Sequence, residues 1–290
     1  MQLLGISLAA ASAVLFAIGA VVQQEVTADT TTGGKLHLSR LLTRPAWLAG
    51  QVATLVAVGL QVAALGLAPV SAVQPLLAGG LVVALAIRSV RDRHFPSLSD
   101  QLGAFLAAGG LAVFLIAARP ADVSKDTIPG TLAVLVTAAV AIALIAATIW
   151  LKQGAKGALA AGVAAGIAMG IAAVLISAAL NTFKHHGLVA ALRSPALWTA
   201  LVVALGAEYA CQQAFSKGAL AWSLPALTVA DPIAAVPVAL VLLGERLEPG
   251  HAAEWVPAAI AAAVGVVLLA RSPEQQGVPV THSGAVASQG

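Results

Sequence analysis

Glu208 and Asp231 are the two charges that interrupt otherwise apolar stretches long enough to be membrane helices. A charge at the centre of such a helix costs about 2.5–3.5 kcal/mol on insertion scales, so these residues usually face a bundle interior and mark ion or proton paths. The other reading is a neutral carboxyl hydrogen-bonded to a neighbouring helix. Asp231 has the richer surroundings. Pro232 has no N–H, so the carbonyl of Thr228 loses its helical partner. A freed carbonyl, a hydroxyl and a carboxylate then lie within one turn, which suits a cation or a proton where a broken helix lines a cavity. Ser71, Gln74 and Pro75 repeat the arrangement without the charge. A packing kink relieved by the two hydroxyls is the alternative. Gln51, Gln61, Gln212 and Gln213 add amides that would either line a polar cavity or bridge helices.

The elements that must position these groups follow from composition. Of 290 residues, 60% are hydrophobic and only 9% are charged, against about a quarter charged in soluble domains. Mean hydropathy is +0.95. The chain is therefore expected to be an all-α, multi-pass protein of the cytoplasmic membrane. One cysteine, Cys211, excludes an internal disulfide framework and a multi-thiolate metal site. All six histidines lie outside the apolar runs, which argues against a histidine metal centre in the membrane. His185-His186 reads as part of a solvated loop rather than a surface metal site. No nucleotide fingerprint, catalytic triad or intramembrane nucleophile appears, so neither an enzyme nor a cofactor is implied, and the net charge of +3 belongs to loops rather than to nucleic-acid binding.

About 20 apolar residues cross a hydrocarbon core. Charge-free runs of that size fall at 2–22, 101–118, 128–151 and 157–180. The run 45–87 divides at 66–69 into spans 46–66 and 69–87, and the run 196–244 divides at 222–225, near Trp222, itself expected to be an interfacial anchor. A last span at 254–270 brings the total to nine. The connection 23–46 reads as a long flexible loop, and residues 272–290 as a disordered tail after a transporter domain covering 1–271. Alternating the loops puts ten Lys and Arg on the side of Lys35, Arg88, Lys152 and Lys217, and five on the other. The positive-inside rule then places the N-terminus outside and the tail in the cytoplasm.

One offset of 157 residues aligns unrelated features. Gly5, Ala9 and Ala13 fall on Gly162, Gly166 and Gly170; Gln51 falls on Glu208; and Ser71, Gln74 and Pro75 fall on Thr228, Asp231 and Pro232. The chain reads as repeat one (2–119), a linking helix (128–151) and repeat two (157–271). An offset of five helices inverts the second unit, as in many secondary transporters. The ladder Gly154, Ala158, Gly162, Gly166, Gly170 allows close helix approach, within the chain or in a homodimer. Counted from a hairpin at Ser223, Glu208 and Asp231 differ by roughly 10 Å in depth, which suits two stations on one path better than one chelate.

Trp47-Leu48-Ala49-Gly50 and the run from Ala64 to Pro75 resemble the first half of NIPA-like magnesium transporters. Leu243-Gly244-Glu245-Arg246-Leu247 with Gly265–Leu269 resembles the EamA-type pattern. Both families belong to the drug/metabolite transporter superfamily, and the resemblance covers residues 2–271. It implies a helical transporter with substrate bound between two repeats. NIPA-like proteins are expected to carry Thr before each helix-breaking proline, where this chain has Gln74 and Asp231. EamA-type members have ten spans.

The leading expectation is a secondary transporter of a small solute, coupled to a proton or cation. Asp231 and Glu208 would titrate, with Thr228, Gln74, Ser71 and Gln51 as polar ligands. A NIPA-like magnesium transporter, with Asp231 holding the cation, and a non-transporting membrane scaffold are the alternatives.

Overall fold

The computed structural model describes residues 2–31, 35–67, 70–93, 95–117, 120–121, 129–244, 246–247 and 252–271. The expected tail at 272–290 lies outside them. The helices are α1 (Gln2–Thr30), the short α2 (Leu38–Leu42), α3 (Pro45–Leu67), α4 (Val70–Asp92), α5 (Leu98–Ala117), α6 (Thr131–Trp150), α7 (Ala155–Arg193), α8 (Pro195–Lys217), α9 (Leu220–Leu242) and α10 (Ala252–Arg271). Ala- and Leu-rich sequence favours helix intrinsically, and a helix satisfies its own backbone where no water can. A two-residue antiparallel pairing of β1 (Pro120–Ala121) with β2 (Arg246–Leu247) ties the end of α5 to the α9–α10 connection.

Seven helices are each long and apolar enough to cross a bilayer: α1, α3, α5, α6, α7, α9 and α10. An eighth candidate is α8 taken with residues 185–193, across a 65° bend. Each of the nine expected segments overlaps a helix, but α4 and α8 do not qualify alone, so the expected count of nine spans is not reached. Helix α8 concentrates Glu208, Tyr209, Gln212 and Gln213 in little more than one turn. Outward faces are apolar, with Leu55 70%, Leu132 76% and Leu205 66% exposed. In water such faces would drive aggregation; in hydrocarbon they are the solvated surface. The protein has the architecture of a multi-pass membrane protein.

Two helix boundaries differ from expectation. The break between α8 and α9 falls at Gly218 and Ala219, not at Trp222–Pro225. A Cβ on Gly218 would sit 2.6 Å from the Trp222 ring, so only glycine lets the turn close over that indole. Trp222 is accordingly buried (8% exposed) and is not an interfacial anchor. Pro225 lies inside α9, where it forfeits one helical hydrogen bond near the start rather than ending the helix. The second difference is α1, which runs on to Thr30 through residues expected to be loop. Gln23, Gln24, Thr27 and Thr30 are buried there at helical spacing; the Thr30 hydroxyl donates to the Val26 carbonyl one turn back, and the other three are bonded to neighbouring helices as described below. His185 and His186 are exposed but helical, just before Gly187, whose φ of 81° kinks α7.

The core lies where α1, α4 and α5 meet α7, α8, α9 and α10. Within the first half α1 packs on α3 and α4; within the second α7 packs on α8 and α9; and α5 packs on α10 between the halves. The α7 glycine ladder is spent inside the chain. A Cβ on Gly162 would meet the Ser223 carbonyl at 2.5 Å, and Cβ atoms on Gly166 and Gly170 would strike the carbonyls of Leu227 and Asp231. The ladder therefore seats α9 backbone to backbone and is not a free dimerisation face. Ser223, Leu227 and Asp231 are one row of that helix at four-residue spacing.

Candidate functional site

Gly170 under the Asp231 carbonyl fixes the height and rotation of α9 at its carboxylate. Helix α9 does not unwind at Pro232. It continues through Pro225, Pro232 and Pro237 to Leu242, so the expected helix break is a proline inside a continuous helix. Pro75 is likewise inside helical backbone, in the second turn of α4. The side chains of Ser71, Gln74 and Pro75 lie outside the described residues.

Thr228, Asp231 and Pro232 line a cavity of about 590 Å³. Its walls come from both halves of the chain: Ser12 and Phe16 of α1, Gln61 of α3, Leu77 of α4, Phe114 of α5, and Ser177 of α7. The lining continues along α9 to Leu240 and on to Leu243, just past the end of that helix. Phe114 is held by an edge-to-face contact with Trp255, with ring centroids 6.3 Å apart. Ser12 donates to the Ala57 carbonyl at 2.7 Å and Ser177 to the Ala173 carbonyl at 3.0 Å. The Asp231 carboxylate, the Thr228 hydroxyl and the Gln61 amide make no hydrogen bond or ion pair among the described residues. Polar groups within a protein usually have partners. Three unpartnered ones facing one cavity are free to hold a ligand.

Glu208 does not line that cavity. With the break at Gly218, Glu208 is ten residues before the turn and Asp231 thirteen after it, so they differ by about 5 Å in depth rather than the 10 Å expected from a hairpin at Ser223. Facing direction separates them. Glu208 turns toward α3, where its Oε1 accepts from Gln51 Nε2 at 2.7 Å and from Gln212 Nε2, also at 2.7 Å. Gln51 and Glu208 are the pair equated by the 157-residue offset, and they touch.

The network extends from there. Gln212 Nε2 also donates to Gln23 Oε1 at 2.9 Å, while its Oε1 accepts from the Thr27 hydroxyl at 2.8 Å and the Trp47 indole at 3.2 Å. Gln23 Nε2 donates to Thr54 at 3.0 Å. Nearer the α8–α9 turn, Gln24 Nε2 donates to the Gly218 carbonyl and its Oε1 accepts from Arg88. Lys217, buried at 3% exposure, donates to the Leu151 carbonyl, and Arg91 pairs with Glu25 at 2.9 Å. Lys217 was expected in a loop; its ammonium instead caps the end of α6. The ends of α1, α4, α6 and α8 are thus bonded together at one end of the bundle.

The amides divide between the two regions. Gln51 and Gln212 bridge helices, Gln61 faces the cavity, and Gln213 donates to the Tyr209 hydroxyl on its own helix. Sequence inspection missed Gln23, Gln24, Thr27, Trp47 and Thr54. The visible signal was Gln23, Thr27 and Thr30–Thr31 recurring at helical spacing past the apolar run. Among the described residues no group of three or more His, Cys, Asp or Glu could hold a metal.

No family model matches the chain. No solved structure matches it. Over 273 residues it is 29% identical to an uncharacterized protein of Corynebacterium glutamicum, covering 92% of this chain and 93% of that protein. The likeness therefore runs the length of the helical bundle, with no activity attached to it.

Proposed function

We propose that this protein is a secondary transporter of the drug/metabolite superfamily type, moving a small solute across the cytoplasmic membrane by alternating access between two inverted repeats. Asp231, Thr228 and Gln61 hold the solute. The observation that carries this reading is an asymmetry. A cavity with unpartnered polar groups runs toward the Leu243 end of α9, while the opposite end of the bundle is closed by hydrogen bonds from α1 and α3 to α8. Those bonds join the two halves of the chain, and rocking one half against the other would break them as a set. Matching packing of α1 on α3 and α4 and of α7 on α8 and α9 supports the repeat, as does the Gln51–Glu208 contact at equivalent positions. The gathered ends carry Arg88, Arg91 and Lys217, and the positive-inside rule supports reading them as the cytoplasmic side; on that reading the conformation is closed to the cytoplasm.

The test is a cross-link between Thr27→Cys on α1 and Gln212→Cys on α8, with Cys211 replaced by Ala. In proteoliposomes the oxidised pair should retain solute binding and lose flux, with flux restored on reduction. Full flux with the cross-link in place would overturn alternating access by this route. A non-transporting scaffold would show no flux in either state.

A further inference from the structure

The chemistry of the cavity narrows the solute. Resting on the reading of this cavity as the solute site, we infer that its ligand is a monovalent organic cation with an apolar body, an amine or quaternary ammonium, held by Asp231.

Charge comes first. Among the described residues of the lining, Asp231 is the one ionisable side chain, with no Lys, Arg or His in the wall around it. A carboxylate, a phosphate or the acid end of a zwitterion would be buried there without a cationic partner, an arrangement that costs heavily in low dielectric. A neutral solute can donate hydrogen bonds to the carboxylate but leaves its buried charge uncancelled. A single positive charge cancels it.

Inorganic divalents fit poorly. Mg²⁺ needs octahedral oxygen ligands and usually more than one anionic group or a phosphate. Here one carboxylate, one free hydroxyl and one amide are offered, while Ser12 and Ser177 already donate to backbone carbonyls. The remaining wall is aliphatic with two phenyl rings, Phe16 and Phe114. Phenyl faces attract weakly hydrated organic cations, and apolar walls reward a ligand that brings apolar surface. A volume of about 590 Å³ suits an organic molecule better than a bare ion.

The experiment is equilibrium binding of radiolabelled tetraphenylphosphonium to the full chain in lipid nanodiscs, with empty nanodiscs subtracted. Benzyltrimethylammonium, benzamide, leucine, glutamate and MgCl₂ are competitors in that assay and are also scored alone by thermal shift. Saturable binding displaced by benzyltrimethylammonium alone is expected, with affinity at least tenfold weaker in Asp231→Asn and largely recovered in Asp231→Glu. Gel filtration and helical circular dichroism establish that the variants are folded, and Thr228→Val, which keeps side-chain size, provides a second lining variant with a several-fold loss. Asp231-dependent stabilisation by leucine, glutamate, benzamide or Mg²⁺ without phosphonium binding would overturn the organic-cation class and leave the cavity a solute site. No Asp231-dependent effect from any compound would overturn both.

Discussion

Asp231 and Glu208 are both carboxylates in the middle of long helices, and the fold treats them in opposite ways. Around Glu208 the polar groups answer one another: two amides meet Oε1, and Gln212 is itself bonded to Gln23, Thr27 and Trp47. Around Asp231 the walls are mostly apolar, and Thr228 and Gln61 have no hydrogen-bond partner among the described residues. A satisfied buried network holds helices in one arrangement. Unsatisfied groups facing a cavity store desolvation cost that a ligand can relieve. Carboxylates that look alike in the sequence therefore separate into one bonded across helices and one that faces a cavity without a partner among the described residues.

The largest effect should come from the backbone seat on which the binding region rests. Gly170→Leu would drive a side chain into the Asp231 carbonyl, so folded protein recovered by gel filtration should fall to near zero. Wild-type recovery would show that α9 does not depend on this close approach. Next, Asp231→Asn should abolish solute-dependent stabilisation while leaving the melting temperature of the ligand-free protein unchanged or slightly higher, because an unpaired charge has been removed. A clear fall in that temperature would mean that Asp231 is structural too, and the contrast with Glu208 would fail.

Glu208→Ala strands two amide N–H groups at a cost of about 1–3 kcal/mol each, which thermal unfolding in detergent should register as several degrees. Glu208→Gln keeps an acceptor at the same place and should lose much less. Equal losses would show that the charge, not the hydrogen bonds, holds the network. The smallest expected effect is Gln61→Ala: a few-fold weaker solute binding with no change in unfolding, since the amide has no partner to strand. Destabilisation there would assign Gln61 to packing.

Much of this was legible from residues alone. The apolar runs locate the helices because a membrane requires about 20 uncharged residues in a row, and α3 ends at Leu67 and α4 begins at Val70, within a residue of the predicted break at 66–69. The hairpin between α8 and α9 was misplaced because Pro225 looks like punctuation, whereas the chain turns at Gly218, which alone admits the Trp222 ring. Helix α1 was cut short at 22 because Gln23, Gln24 and Thr27 read as loop until their partners on α3 and α8 are seen. Asp231 and Thr228 could be singled out from Pro232 beside them. That Gln61 belongs with them, from 167 and 170 residues earlier in the chain, could not.

The amino-acid sequence determined the apolar surroundings this protein needs, its helical class and the two acids that stand mid-helix in α8 and α9. These depend on composition and on spacing along one helix, both of which are local. Tertiary structure decided which acid is answered and which is left open. That depends on which face of a neighbouring helix arrives opposite each carboxylate, and a helix rotated by one residue, about 100°, presents a different answer.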